Sequence, residues 1–294
     1  MFSDFDIHSS ELIREISPNE NMFGPLERIE HYFRVGQSAL NCIGMSLQMA
    51  QRSVADVKHI LDLPCGHGRV LRYLKAAFPQ AEITACDILQ DGVDFCRSTF
   101  DAVGVYSSTD PTKIPLESDH YDLIWVGSLF THLDRELWHS FLDMFRRCLR
   151  RDGLLVFTAH GSVDYVKIVD GKAEMRDWQR NLLRHQFERS GFAYYDYDGT
   201  PGYGSSLSSP AWVTAQVAQF SELRLVLCSE RACAWHQDVY AYVRDPDWQM
   251  QRPRVTVPDI ASTRLQMALN GGKRRTKDLL RPGYHALKRL FRRK

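Results

Sequence analysis

Short apolar runs alternate with amphipathic stretches from residue 57 to residue 160, and this rhythm restricts the chain to one class of fold. "VKHILDL", "AEITACD", "VGVYSS", "YDLIWVGS" and "LLVFTAH" read as strands. Between them "GRVLRYLKAAF", stopped by Pro79, "DGVDFCRSTF" and "DRELWHSFLDMFRRCLR" read as helices, with Asp152-Gly153 turning the chain into the fifth strand. Apolar strands separated by helices run parallel and are covered on both faces, which predicts a doubly wound α/β sheet. Ser209-Pro210 reads as an N-cap and first helical residue opening "AWVTAQVAQF". "LRLVLCSE" and "DVYAYVR" follow as a pair of strands closing the same sheet.

The flanks differ in character. From Pro25 to about Arg52, Leu26, Ile29, Phe33, Leu40, Ile43 and Leu47 recur at helical spacing, so residues 1–54 are expected to form an N-terminal helical cover. Residues 55–250 form the main domain. Within it, residues 161–209 are polar, aromatic and glycine-rich, too long for a plain connection, and are expected to insert after the fifth strand as a lid over the site. Residues 251–294 read as a linker and basic tail.

"HILDLPCGHGRVLRYL", residues 59–74, places a glycine turn where the first strand passes into its helix. In open α/β sheets that is where a ligand rests, and Gly66, Gly68 and a helix starting near His67 would offer close backbone approach and free N–H groups. A dinucleotide fingerprint needs glycine three residues after Gly68, where Leu71 stands, and Pro64 holds the place of an earlier one. No G-K-[ST] follows, so the turn is not a P-loop.

The stretch "ILDLPCGHGRVLRYL" resembles motif I of the class I S-adenosylmethionine-dependent methyltransferases, in which an acidic residue precedes G-x-G-x-G. Asp87 at the end of "ITACD", Asp110 in "SSTDPTKIPL" and the fourth-strand segment "YDLIWVGSLFTHL" fall in register with the type-11/12 branch. Pro64 departs from the motif, replacing its first glycine. The resemblance implies a Rossmann-like methyltransferase sheet binding S-adenosylmethionine and releasing S-adenosylhomocysteine, with no metal. It assigns Asp62 to the methionyl ammonium. Pro64, Cys65, Gly66 and Gly68 would form the turn beneath methionine and ribose. Asp87, followed by Ile88, falls to the ribose, Asp110 to the adenine edge, and Gly127 to the exit of the fourth strand. Local readings stand beside these: Asp62 and Asp87 as strand ends, Asp110 as the start of a turn with Pro111.

Methyl transfer to a hydroxyl also needs a proton acceptor. His132 in "GSLFTHLD" and His160 in "FTAHGS" follow the fourth and fifth strands; His132 is expected as general base, with capping of the next helix as the alternative. Tyr194, Tyr195, Tyr197, Tyr203, Trp235 and His236 combine flat faces with polar tips, suited to an acceptor sugar or to packing the insertion. Of these, His160, Tyr203, Trp235 and His236 are expected at the acceptor. The layout of "YFRVGQSAL", "GYGSSLSSPAWV" and "WHQDVYAY" resembles bacterial methyltransferases associated with glycosyltransferases, which implies a glycan or glycolipid acceptor and a glycosyltransferase partner. No N-P-P-Y-like tetrapeptide is present, which argues against exocyclic amines as acceptors. A nicotinamide-dependent oxidoreductase and a non-catalytic scaffold at the membrane are the rival readings.

Charge and cysteines set the surroundings. The net charge is +1, yet residues 271–294 hold ten Lys/Arg against Asp278, so the remainder stands at −8. An acidic body does not suit a nucleic-acid groove. In the tail, Tyr284, Leu287, Leu290 and Phe291 share one helical face opposite cations, a pattern that predicts binding to an anionic membrane surface; a solvated terminus and nucleic acid are its rivals. Seven scattered cysteines fit a reducing compartment. No long apolar span and no basic, apolar start after Met1 are seen, so neither a transmembrane helix nor a secretory signal is expected; the cysteines predict a cytoplasmic protein and the tail a peripheral place on the inner face of the plasma membrane.

Overall fold

A computed structural model describes residues 12–22 and 29–248. Pro25, Leu26 and the basic tail therefore lie outside the described residues. The first helix, α1 (Ile29–Met49), is followed by β1 (His59–Asp62), α2 (Leu71–Ala77), β2 (Glu82–Asp87), α3 (Gln90–Phe100), β3 (Val103–Tyr106) and β4 (Tyr121–Val126). Then come α4 (Arg135–Cys148), β5 (Leu149–Ala159), α5 (Ser162–Val169), α6 (Asp177–Ser190), β6 (Phe192–Tyr197), β7 (Thr200–Ser208), α7 (Pro210–Val217), β8 (Leu223–Cys233) and β9 (Gln237–Arg244).

Seven strands form one sheet in the order β3-β2-β1-β4-β5-β9-β8. β1 to β5 pair in parallel, while β9 runs antiparallel to both β5 and β8. The order reverses between β1 and β4, which creates a crevice beyond the carboxyl ends of those strands. β4 shows why both faces are covered. Leu123 and Trp125 enter a core shared with α1, α2 and α3, whereas Ile124 and Val126 enter a second core with α4 and α7. Period-two alternation thus gives one strand two buried faces.

The helical ends follow the expected chemistry. Asp134 Oδ1 accepts the N–H of Leu137 at 2.8 Å and caps α4; Ser209 Oγ accepts that of Trp212 at 3.2 Å ahead of Pro210 in α7. The N-terminal cover is α1 plus the stretch 12–22. α1 buries Val35, Leu40, Ile43 and Leu47, and Gly36 is required because an added Cβ would lie 2.5 Å from Arg69 O and the Tyr73 ring. Arg72, although charged, is buried: it donates to the carbonyls of Ile13, Glu15 and Gly68 and lies over the rings of Tyr32, Phe33 and Phe100.

Three details differ from the sequence reading. α2 begins at Leu71 rather than near His67, because residues 66–70 form successive turns with Gly66 and Gly68 at positive φ. β5 begins at Leu149, directly after α4, and Asp152-Gly153 is a bend within it, with Asp152 at φ +61. Residues 161–209 are regular structure: α5, α6 and an antiparallel hairpin of β6 and β7 that forms its own two-stranded sheet.

Candidate active site

The carboxyl ends of β1 and β2 carry the two acids. Asp62 ends β1 with only 1% of its surface exposed, and neither carboxylate oxygen has a hydrogen-bond partner. Burial raises its carboxyl well above the usual range, Asp87 adds to the rise, and Arg69 opposes it. Such a group is expensive to keep unless a ligand supplies the missing cation. Asp87 is held differently. Its Oδ2 accepts Gly66 N–H at 2.7 Å and its Oδ1 accepts Leu89 N–H at 2.9 Å. Burial raises its carboxyl and these amides pull it back down. Each oxygen keeps a further lone pair for a ligand hydroxyl.

The turn between them divides its glycines. Gly66, at φ +51, has nothing within 4 Å of where a side chain would begin, so the space above it is open. Gly68, at φ +79, would place a Cβ 2.4 Å from Phe100 Cε2, so its missing side chain accommodates the core. Pro64 follows a cis peptide bond from Leu63. Cys65 is buried against the core, and its thiol donates to the Gly66 carbonyl at 3.4 Å. Ile88 leaves 57% of its surface exposed immediately after Asp87, an apolar face suited to a flat ring. Asp110 is engaged locally: Oδ1 accepts from Thr112 N at 3.0 Å and Thr112 Oγ1 at 2.7 Å, capping a short 3-10 helix. These bonds lower its carboxyl pKa.

β4 ends at Val126 and is followed by Gly127, where a Cβ would meet Trp125 Nε1 at 2.9 Å. Ser128 follows at φ +63, its N–H donating to Thr158 Oγ1 at 2.8 Å while its hydroxyl meets Gln237. This pinned loop delivers His132. Asp134, not His132, caps α4; the His132 ring turns towards the hairpin, where Nδ1 lies 2.9 Å from Gly204 O and 3.2 Å from the Tyr197 hydroxyl. A carbonyl oxygen can only accept, so Nδ1 carries the proton and Nε2 presents its lone pair. Tyr203 stacks on His132 with centroids 4.9 Å apart. Burial lowers the His132 pKa against the effect of the Gly204 carbonyl, leaving the ring neutral at pH 7.

The hairpin therefore meets the loop after β4, where Gly204 N–H donates to His132 O and Ser206 N–H to Thr131 O, each at 2.9 Å. Burial raises the pKa of the Tyr203 hydroxyl, and the charge of Asp87 adds to the rise. His160, at the end of β5, is pushed down to about 4 by burial, with His236 and His132 lowering it further and Asp164 opposing. His160 and His236 have centroids 6.3 Å apart. Trp235 is exposed at the β8–β9 turn and makes no ring contact with this group among the described residues. Asp238, unflagged in the sequence, lies beneath: its Oδ1 accepts Arg231 N–H at 3.0 Å, its Oδ2 has no partner, and burial raises it to about 6.

Residues 60–153 match the family described as "Methyltransferase domain". The fold is that of the class I methyltransferases. Among solved structures, an S-adenosylmethionine-dependent methyltransferase from Clostridium acetobutylicum superposes with a TM-score of 0.50 over 71% of this chain and 92% of its own, at 12% identity. A fatty-acid O-methyltransferase of Mycolicibacterium smegmatis is 30% identical over 122 residues, 40% of this chain and 44% of the relative. A malonyl-[acyl-carrier protein] O-methyltransferase of Acetivibrio thermocellus is 26% identical over 142 residues, 47% of each. The chain thus spans less than half the length of these curated relatives. Among the described residues no helix is long and apolar enough to cross a membrane.

Proposed function

We propose that the protein is an S-adenosylmethionine-dependent O-methyltransferase acting on a hydroxyl. The residues fit the cofactor. The two unpartnered oxygens of Asp62 suit an ammonium, the open face of Gly66 admits the methionyl and ribose portion, and Asp87 is held by two amides with lone pairs left for ribose hydroxyls. The cofactor, when bound, supplies an electrophilic methyl group on a sulfonium. The chain's own work is alignment, exclusion of water and proton removal. His132 carries the reading: with Nδ1–H fixed on Gly204 O, neutral Nε2 is the base for an acceptor hydroxyl. Tyr203, stacked on His132, offers a ring face beside that base.

The acceptor we favour is a sugar hydroxyl of a glycan or its lipid-linked precursor, stacked against Tyr203 with His160 and His236 beside it. The basic tail would hold the protein at the anionic surface where such acceptors, and a glycosyltransferase partner, reside. A second reading comes from the relatives, whose names specify a fatty acid and malonyl-[acyl-carrier protein]; on that reading the acceptor here would be a carboxylate. A carboxylate is already ionised at pH 7 and needs no base, so the two readings separate cleanly. Labelled methyl donor is incubated with a glycolipid fraction and with free fatty acids, using wild type and His132→Gln. Label in the glycolipid, lowered about 10²–10⁴-fold in kcat by the substitution with unchanged S-adenosylhomocysteine affinity, is expected. Label in fatty acids at a rate indifferent to His132 would refute the hydroxyl reading.

A further inference from the structure

At the end of the sheet opposite the cleft, His59, Glu82 and His120 each offer a donor atom within 4.8 Å of the others. His59 opens β1 and stands in register with Glu82, which opens β2; His120 directly precedes β4. All three backbones are fixed. The N–H groups of Lys58 and His59 donate to Asp122 Oδ2 at 2.8 and 3.0 Å, and Asp122 is itself held by Arg150 at 3.1 Å. Glu82 N–H donates to Lys58 O at 2.8 Å and His120 N–H to Cys148 O at 2.9 Å.

The side chains face one another without satisfying one another. The two imidazoles have centroids 4.3 Å apart at a 50° tilt. His59 Nδ1 lies 3.7 Å from Glu82 Oε1, is buried, and has no hydrogen-bond partner. A buried ring nitrogen left this way costs about 1–3 kcal/mol. Glu117 Oε2 stands 3.3 Å from His120 Nδ1 at the rim.

We propose that His59, Glu82 and His120 form a binding site for a borderline divalent transition metal, zinc above all, that ties together the starts of β1, β2 and β4. Two imidazoles with one carboxylate suit zinc, cobalt, nickel or copper and do not suit magnesium or calcium, which take oxygen ligands. Ligands around tetrahedral zinc lie about 3.4 Å apart. The observed spread therefore closes by side-chain rotation, chiefly of exposed Glu82, while the sheet stays fixed. Glu117, paired with His120 Nδ1, is placed to orient that imidazole. The site is remote from Asp62 and Asp87, so its role is to clamp the sheet, independent of any reaction in the cleft.

Cobalt titration of the full chain tests this, because a tetrahedral site gives an intense visible band. Wild type should take up one equivalent with that band, zinc should displace it, and zinc should raise the melting temperature. His59→Gln with His120→Gln should abolish the band and weaken zinc binding more than tenfold. Glu82→Gln, altering only an exposed side chain, should weaken it in the same direction and serves if the double variant fails to fold. A wild type without the band, or variants that bind cobalt as wild type does, overturns the proposal.

Discussion

Replacing each turn glycine by alanine should separate two functions that share one motif. Both residues have positive φ, so a side chain at either costs about 1–2 kcal/mol of backbone strain. At Gly66 nothing further is met within 4 Å. At Gly68 the new carbon would lie 2.4 Å from Phe100, a ring packed in the core, which adds about 1–3 kcal/mol of overpacking. For a domain of this size each kcal/mol lowers the melting temperature by about 2–4 °C. Gly66→Ala should thus melt roughly 2–8 °C below wild type and Gly68→Ala roughly 4–20 °C below it. Calorimetric titration with S-adenosylhomocysteine supplies the second axis. Gly66→Ala, whose methyl group fills the open face beside Asp87, should lose at least about tenfold in affinity, or about 1.4 kcal/mol. Folded Gly68→Ala should lose less. Equal destabilisation of the two variants, or unimpaired binding by Gly66→Ala, would refute this division.

Asp62→Asn should weaken S-adenosylhomocysteine about ten- to a hundredfold, matching the loss of one charge-assisted hydrogen bond, yet raise the melting temperature of the ligand-free protein above pH 7. The sign follows from its raised pKa: folding takes up a proton, so this carboxyl costs stability as pH rises through its folded value. For the same reason cofactor binding to wild type should release a proton, detectable as a dependence of the binding heat on buffer ionisation, and Asp62→Asn should release none. Asp238, raised to about 6, follows the same sign: Asp238→Asn should melt about 2–4 °C higher than wild type at pH 8, with the gain fading as pH falls below about 6 and gone by about 4. The acid limb of the rate profile should lie below the ordinary histidine value of about 6.5, because burial lowers His132.

What the sequence disclosed follows from the range of the interactions involved. The seven-stranded sheet was legible because its signals are local: period-two strands, amphipathic helices, and caps such as Asp134 and Ser209. Gly68 was not, since the ring it accommodates comes from Phe100, at the far end of α3. The tautomer of His132 depends on Gly204 O, 72 residues away. Asp110 shows a local signal of the opposite kind: its Oδ1 takes donors only two residues on and caps the turn that Pro111 opens. The β6–β7 hairpin does carry a local signal, for Asp198-Gly199 is a hairpin dipeptide between aromatic strands. The orphaned oxygens of Asp62 have no signature in a linear pattern; only burial on every side reveals them.

Co-crystallisation with S-adenosylhomocysteine measures the central claim directly. The methionyl ammonium should lie within hydrogen-bonding distance of Asp62, both ribose hydroxyls should reach Asp87, and the chain between them should pass over Gly66. Density for the nucleoside that leaves Asp62 and Asp87 untouched would contradict the account.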